Sequence, residues 1–114
     1  MAAAVRILVA FEPQMYREVL AFHLRQERPQ SEVALASPET LQDEAKRMRP
    51  HLIIANEIPP ELKEMGFFFW VEVHTGERLD ADIRADGYST TIHDVSLQDL
   101  LAVVDKAEEE LAHE

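Results

Sequence analysis

The chain has 114 residues, with 46% apolar and 29% charged residues and a net charge of −11. That length fits one domain spanning residues 1–114, and the apolar share suffices for a core, which excludes a largely disordered chain. The chain has no cysteine, which excludes disulfide frameworks, thiolate zinc sites and cysteine nucleophiles and suits a reducing compartment. The acidity disfavours direct nucleic-acid binding and docking on anionic membranes. The N-terminus lacks the basic and apolar regions of a secretory signal, and the longest apolar run, Phe67 to Val71, is too short to span a bilayer. A cytoplasmic location is the expectation.

In chain order, Val5 to Phe11 is an apolar, β-branched run that reads as a buried strand, ended by Pro13. Gln14 to Glu27 carries Met15, Val19 and Phe22 at helical spacing, with Leu20 and Leu24 beside them. Val33 to Ala36 is a second strand. Ser37-Pro38 predicts the start of a second helix, with Leu41, Ala45 and Met48 as its buried stripe and Arg49-Pro50 as its stop. Leu52 to Ala55 is apolar on both faces, as a central parallel strand should be.

Pro59-Pro60 opens a short helix, Glu61 to Met65, which Gly66 closes before a strand from Phe67 to Val73. Alternate residues of that run are expected to fill both core faces; an exposed patch at Phe67, Phe68 and Phe69 is the competing reading. Over 75–86, Leu79 and Ile83 stand one helical step apart, which predicts a weak helix. Tyr88 to Ile92 is a fifth strand. Ser96 with Asp99 resembles a capping box for a last helix, whose apolar stripe is Leu97, Leu100, Leu101, Val104 and Leu111.

This alternation predicts an α/β fold: a three-layer α/β/α sandwich around a doubly wound, five-stranded parallel sheet with a shortened third helix. Ligands of such sheets bind outside the carboxyl ends of the strands. Those ends carry Phe11-Glu12, Asn56-Glu57, His74-Thr75 and His93-Asp94.

These residues and their scaffold resemble the receiver domain of two-component response regulators, a flavodoxin/CheY-like fold, over about Val5 to Ala107. Val5 to Glu12 looks like the family's first strand and acidic pair. Arg49 to Asn56 resembles the stretch that carries the phosphoacceptor aspartate. Thr75-Gly76 falls at the family's Ser/Thr followed by a small residue. Gly87-Tyr88 and Val95 to Leu100 resemble the last strand and the entry to the last helix.

The chemistry set departs from the family. The acidic pair is Phe11-Glu12, the phosphoacceptor position is Asn56, and the family's lysine is His93. An amide is a poor nucleophile toward phosphorus and cannot become an acyl phosphate. Only Thr75 is kept. Phe11, Glu12, Asn56, Thr75 and His93 therefore read as degenerate phosphorylation-site positions. No cofactor is expected; Glu12, Asn56 and Glu57 are the candidate oxygen ligands for weak Mg2+ binding.

No catalytic residue is identified. The five histidines lack metal-ligand spacing, no Gly-x-Ser-x-Gly elbow occurs, and three glycines make no phosphate loop. His93 alone is a candidate proton-sensitive switch, set against a plain surface histidine.

The resemblance implies an atypical, phosphorylation-independent, non-enzymatic receiver-like regulatory domain in signal transduction. It would act by protein–protein contact, with another protein or as a homodimer. The surface implied is the one formed by the family's fourth helix, fifth strand and fifth helix, here Ile83, Tyr88, Thr90, Leu97, Leu101 and Val104. The alternative is a weakened, Mg-dependent phosphoreceiver.

Overall fold

The computed structural model of the chain describes residues 4–65, 69–75, 78–85 and 88–112, with the side chains of Met65 and Tyr88 left out of the description. Its elements run β1 (Arg6–Ala10), α1 (Gln14–Glu27), β2 (Glu32–Leu35), α2 (Leu41–Met48), β3 (Leu52–Ala55), α3 (Pro60–Met65), β4 (Phe69–His74), β5 (Asp80–Ala85), β6 (Tyr88–Ile92) and α4 (Leu97–Ala112). The first seven follow the expected alternation. Between β4 and α4 the chain departs from it.

The six strands form one sheet in the order β2-β1-β3-β4-β5-β6. β2, β1, β3 and β4 are mutually parallel, while β5 runs antiparallel to both β4 and β6. The five-stranded, all-parallel sheet is thus corrected to a six-stranded mixed one. The segment expected as a weak helix is β5. Its sequence Asp-Ala-Asp-Ile-Arg-Ala alternates with a period of two, and Ala81, Ile83 and Ala85 are buried while Asp80, Asp82 and Arg84 are half-exposed. That alternation outweighs the single helical step from Leu79 to Ile83.

Two apolar clusters lie on opposite faces of the sheet. One joins β1, β3, β4 and β5 to α1 and α4 through Ile7, Val9, Leu24, Ile54, Val71, Leu101 and Val104. The other joins β1 and β3 to α2 and α3 through Leu8, Ile53, Leu41, Ala45 and Leu62. β3 is buried at all four residues, as a strand covered on both faces must be. Beyond Trp70, the α2/α3 side of β4–β6 carries Glu72, His74, Asp82 and Thr91.

Local signals act as their chemistry dictates at most ends. Ser96 N–H donates to Asp99 Oδ2 at 2.9 Å and Asp99 N–H to Ser96 Oγ at 3.3 Å, closing the capping box of α4. α2 begins at Leu41, three residues beyond the expected start. Ser37 and Thr40 exchange backbone-to-hydroxyl bonds across a turn and hold that entry. α2 ends at Met48 and is capped by Arg49, which has a φ of 52° and whose carbonyl accepts from the guanidinium of Arg6 at 3.1 and 2.7 Å.

Candidate functional site

The strand ends bring together part of the set read from the sequence. Phe11, at the end of β1, is buried in the α1/α4 cluster and stands where a receiver would have a carboxylate. The backbone N–H of Glu12 donates to the side-chain oxygen of Asn56, just past β3. This bond ties the two strand ends together and uses one of the two lone pairs of that oxygen. Glu12, Glu57 and Thr75 are exposed. With Phe11 in place of one carboxylate, Glu12, Glu57 and the Asn56 oxygen offer fewer charged ligands than the receiver set.

His93 lies apart from this set. It follows β6, and β5 intervenes between β6 and β4, so His93 is about two strand spacings, roughly 10 Å, from the β4 end. Its Nδ1 is 3.4 Å from Asp80 Oδ1 at the start of β5. In an all-parallel receiver sheet that strand end would sit directly beside Thr75. The hairpin made by β5 and β6 removes that juxtaposition.

The expected contact surface is also redistributed. Ile83, Leu101 and Val104 are buried between α4 and the sheet, so they cannot present a docking face. Thr90 is exposed and Leu97 half-buried, while the side chain of Tyr88 lies outside the described residues. Phe67 and Phe68 also lie outside them; Phe69 is half-buried against the α1/α4 cluster.

What the structure exposes instead is α1. Ala21 and Leu24 are its buried residues, with Leu20 packed beside them. Residues 15, 19 and 22 then fall on the far side of the helix from this buried stripe. Met15, Tyr16, Val19 and Phe22 are 65%, 56%, 49% and 56% exposed. Val19 also reaches an open apolar groove of about 390 Å³, whose other walls include Leu20, Val73, Leu79, Leu97 and Leu100. At one end Tyr16 leans on Phe11, ring centroids 6.5 Å apart; beyond the other wall, Phe22 meets His23 edge to face at 5.6 Å. The spacing of Met15, Val19 and Phe22 was visible in the sequence. Its side was not, because large apolar residues stand on both sides of the helix, and the small Ala21 beside Leu24 marks the inward one only weakly.

A second constellation, also missed from sequence, lies on the polar side of β4 and β5. His74 Nε2 is 2.9 Å from Asp82 Oδ2 and 3.9 Å from Glu72 Oε1. Antiparallel pairing places Glu72 opposite Asp82, which no parallel-sheet reading could anticipate. Glu72 is 8% exposed, and both its oxygens are engaged. The N–H of Ile58 donates to one at 2.8 Å and Lys63 Nζ to the other at 3.0 Å. The same ammonium sits 4.7 Å from the Trp70 ring centroid. Asp82 accepts from Thr91 Oγ1 at 2.8 Å on its other oxygen. His74, and then Thr91, hold the Asp82 carboxyl below its ordinary range. Three such side chains converge closely enough for a cation. Here Lys63 already supplies the positive charge, and the arrangement staples α3, β4, β5 and β6 together.

No family model and no curated protein matches the chain. Among solved structures it is similar to a variant of HypX from Aquifex aeolicus, with 17% identity and a TM-score of 0.56. The match covers 96% of this chain and 28% of that one, so this chain spans less than a third of the HypX chain. At such identity the likeness concerns the fold alone. It places the chain among α/β folds and assigns no activity.

Proposed function

We propose that this chain is a receiver-like regulatory domain that works without phosphorylation and without catalysis, by protein–protein contact. The contact surface is the exposed face of α1 with the groove beside it. The observation that carries the proposal is the outward stripe of Met15, Val19 and Phe22, continuous with an apolar groove. Large apolar side chains set together on a surface and rimmed by polar residues mark interaction sites.

Two features of the strand ends support the phosphorylation-independent half of the reading. An amide stands at the position that the resemblance assigns to the phosphoacceptor, and its oxygen accepts from the Glu12 N–H. The basic residue that would face a phosphoryl group is displaced along the sheet by β5. The parallel core from β1 to β4 keeps the receiver-like order, while the half beyond it is rebuilt as a β5–β6 hairpin.

A photo-crosslinking residue placed at Val19, with Gln98 on the solvent side of α4 as control, tests the reading in the native cell. A discrete adduct at position 19 that disappears with Phe22→Ser is the expected result. Equal adducts at both positions, or none at 19, would refute a specific contact on this face.

A further inference from the structure

The polar cluster on β4 and β5 carries an inference that is independent of the α1 face. Glu72 and His74 are two residues apart on β4 and share one face of the strand, and antiparallel register sets Asp82 of β5 opposite Glu72. His74 Nε2 stands 2.9 Å from Asp82 Oδ2 and 3.9 Å from Glu72 Oε1, and the three side chains offer ligand atoms within 4.8 Å of one another. Ligands of a tetrahedral zinc ion lie about 2.0–2.2 Å from the metal and hence roughly 3.3–3.6 Å from each other. The two His74 distances bracket that range, so adjustments of about 0.5 Å bring Nε2 to ligand spacing with each oxygen.

Groups outside the cluster hold its carboxylates in place. Each carboxylate turns one oxygen toward His74 and has the other fixed by a donor. The N–H of Ile58 donates to Glu72 Oε2 at 2.8 Å, and Thr91 Oγ1 donates to Asp82 Oδ1 at 2.8 Å. Carboxylates that ligate metals are oriented by such outer partners. Lys63 Nζ, 3.0 Å from Glu72 Oε1, already sets a positive charge at the oxygen that faces His74. The same ammonium lies 4.7 Å from the Trp70 ring centroid, a contact it keeps on leaving that oxygen. His74 is exposed and Asp82 half-buried, which opens the outer side of the cluster to water.

The donor set selects the ion. Magnesium and calcium seek sets of about six or more oxygens, and ions that prefer sulfur find no thiolate in a chain without cysteine. One imidazole with two carboxylates and an open side suits zinc, which commonly takes three protein ligands and a water. We propose that Glu72, His74 and Asp82 form a binding site for Zn2+, which displaces Lys63 from Glu72 Oε1 and keeps water as its fourth ligand. His74 binds through Nε2, with its proton on Nδ1. The ion ties β4 to β5 where the sheet changes from parallel to antiparallel.

Zinc itself is the probe, added to the full chain and followed by calorimetry and by NMR of the imidazole nitrogens, with an amide spectrum of each variant to show that it is folded. One equivalent should bind, move the His74 Nε2 resonance and raise the thermal midpoint. His74→Ala, at an exposed position, should lower the affinity by on the order of 100-fold or more, and Asp82→Ala should do likewise. Thr91→Val, which releases the second oxygen of Asp82, should cost roughly 10-fold. Lys63→Gln should tighten binding, because it removes the competing charge and still leaves a donor for Glu72. His23→Ala and His93→Ala should leave the affinity unchanged.

Failure to take up zinc at millimolar concentration would overturn the site. Binding that survives both His74→Ala and Asp82→Ala would do the same, because it would mark adventitious uptake by surface carboxylates. Binding lost with His93→Ala would move the ion to His93 and Asp80, which also approach each other, and away from this cluster. An affinity that Lys63→Gln leaves unchanged or weakens would show that zinc does not replace the ammonium at Glu72, and would equally defeat the proposal.

Discussion

The backbone N–H of Glu12 donates to the side-chain oxygen of Asn56, so the two central strand ends are joined by the residue that the proposed receiver-like reading sets at the phosphoacceptor position. An aspartate at 56 would retain an acceptor for that N–H but set its charge among Glu12 and Glu57. It would restore neither a second carboxylate at position 11 nor a cation beside Thr75. Asn56→Asp is therefore expected to gain no stable phosphoryl group. Intact-mass measurement after treatment with a small phosphodonor checks this; an added phosphoryl mass on the variant would mean that the site lacks only its nucleophile.

Exposed and inward apolar residues of α1 should separate cleanly on substitution. Val19→Ser and Phe22→Ser sit on the solvent side and should each change stability by no more than about 0.5 kcal/mol. Leu24→Ala empties a fully buried position under α1 and should cost about 2–5 kcal/mol. Urea unfolding of the three variants measures the contrast. A large loss at Phe22 would mean that the α1 stripe is core.

Glu72 is expected to matter for folding. Glu72→Ala would strip the acceptor from the buried Ile58 N–H and leave Lys63 without its carboxylate, a cost of about 1–3 kcal/mol. Glu72→Gln keeps an acceptor for Ile58 and should lose less. Thermal unfolding of both variants tests the order; two near-neutral variants would mean that Glu72 is merely a solvated carboxylate.

Acid should weaken the fold through two carboxylates. Asp82, held by His74 and Thr91, and Asp105, held by Arg28, both titrate below their ordinary value. A carboxyl lowered in the folded state stabilises fully above its unfolded pKa, about 3.9, and that contribution fades as pH falls through the lowered folded value. Asp82→Asn should thus give a shallower loss of stability below about pH 4, with only a small effect near neutrality because the pair is solvent-screened. Unfolding midpoints measured across pH 2–7 would show it, and parallel curves for wild type and variant would count against the Asp82 contact.

Much of the fold was legible because burial and backbone chemistry coincided there. Leu52 to Ala55 reads as a two-faced buried strand and is one; Ser96 and Asp99 read as a cap and exchange the bonds of one. The parallel core from β1 to β4 followed from that alternation. The hairpin was hidden because Leu79 and Ile83 suggested a helix, while the decisive alternation rests on Ala81 and Ala85, whose methyls give a weak apolar signal. The same weakness left the inward side of α1 unmarked in the sequence. Ala21 is small enough to let the helix approach the sheet, and Met15, Val19 and Phe22, the louder residues, are what remains outside. The contact surface expected at Ile83, Leu101 and Val104 is buried for the converse reason, since β5 stands where a helix was expected and Leu101 and Val104 of α4 pack in one cluster with its Ile83. The Glu72–His74–Asp82 cluster depends on antiparallel register between residues eight and ten apart, which spacing alone does not reveal.

Regulation without phosphoryl chemistry is tested most directly by an amide NMR titration with magnesium, followed by magnesium with beryllofluoride, a mimic of the phosphorylated state. Resonances of Glu12, Asn56, Thr75 and His93 should hold their positions through both additions. Shifts at millimolar magnesium, followed by a second set on adding beryllofluoride, would contradict the account and identify a working receiver built around an unusual site.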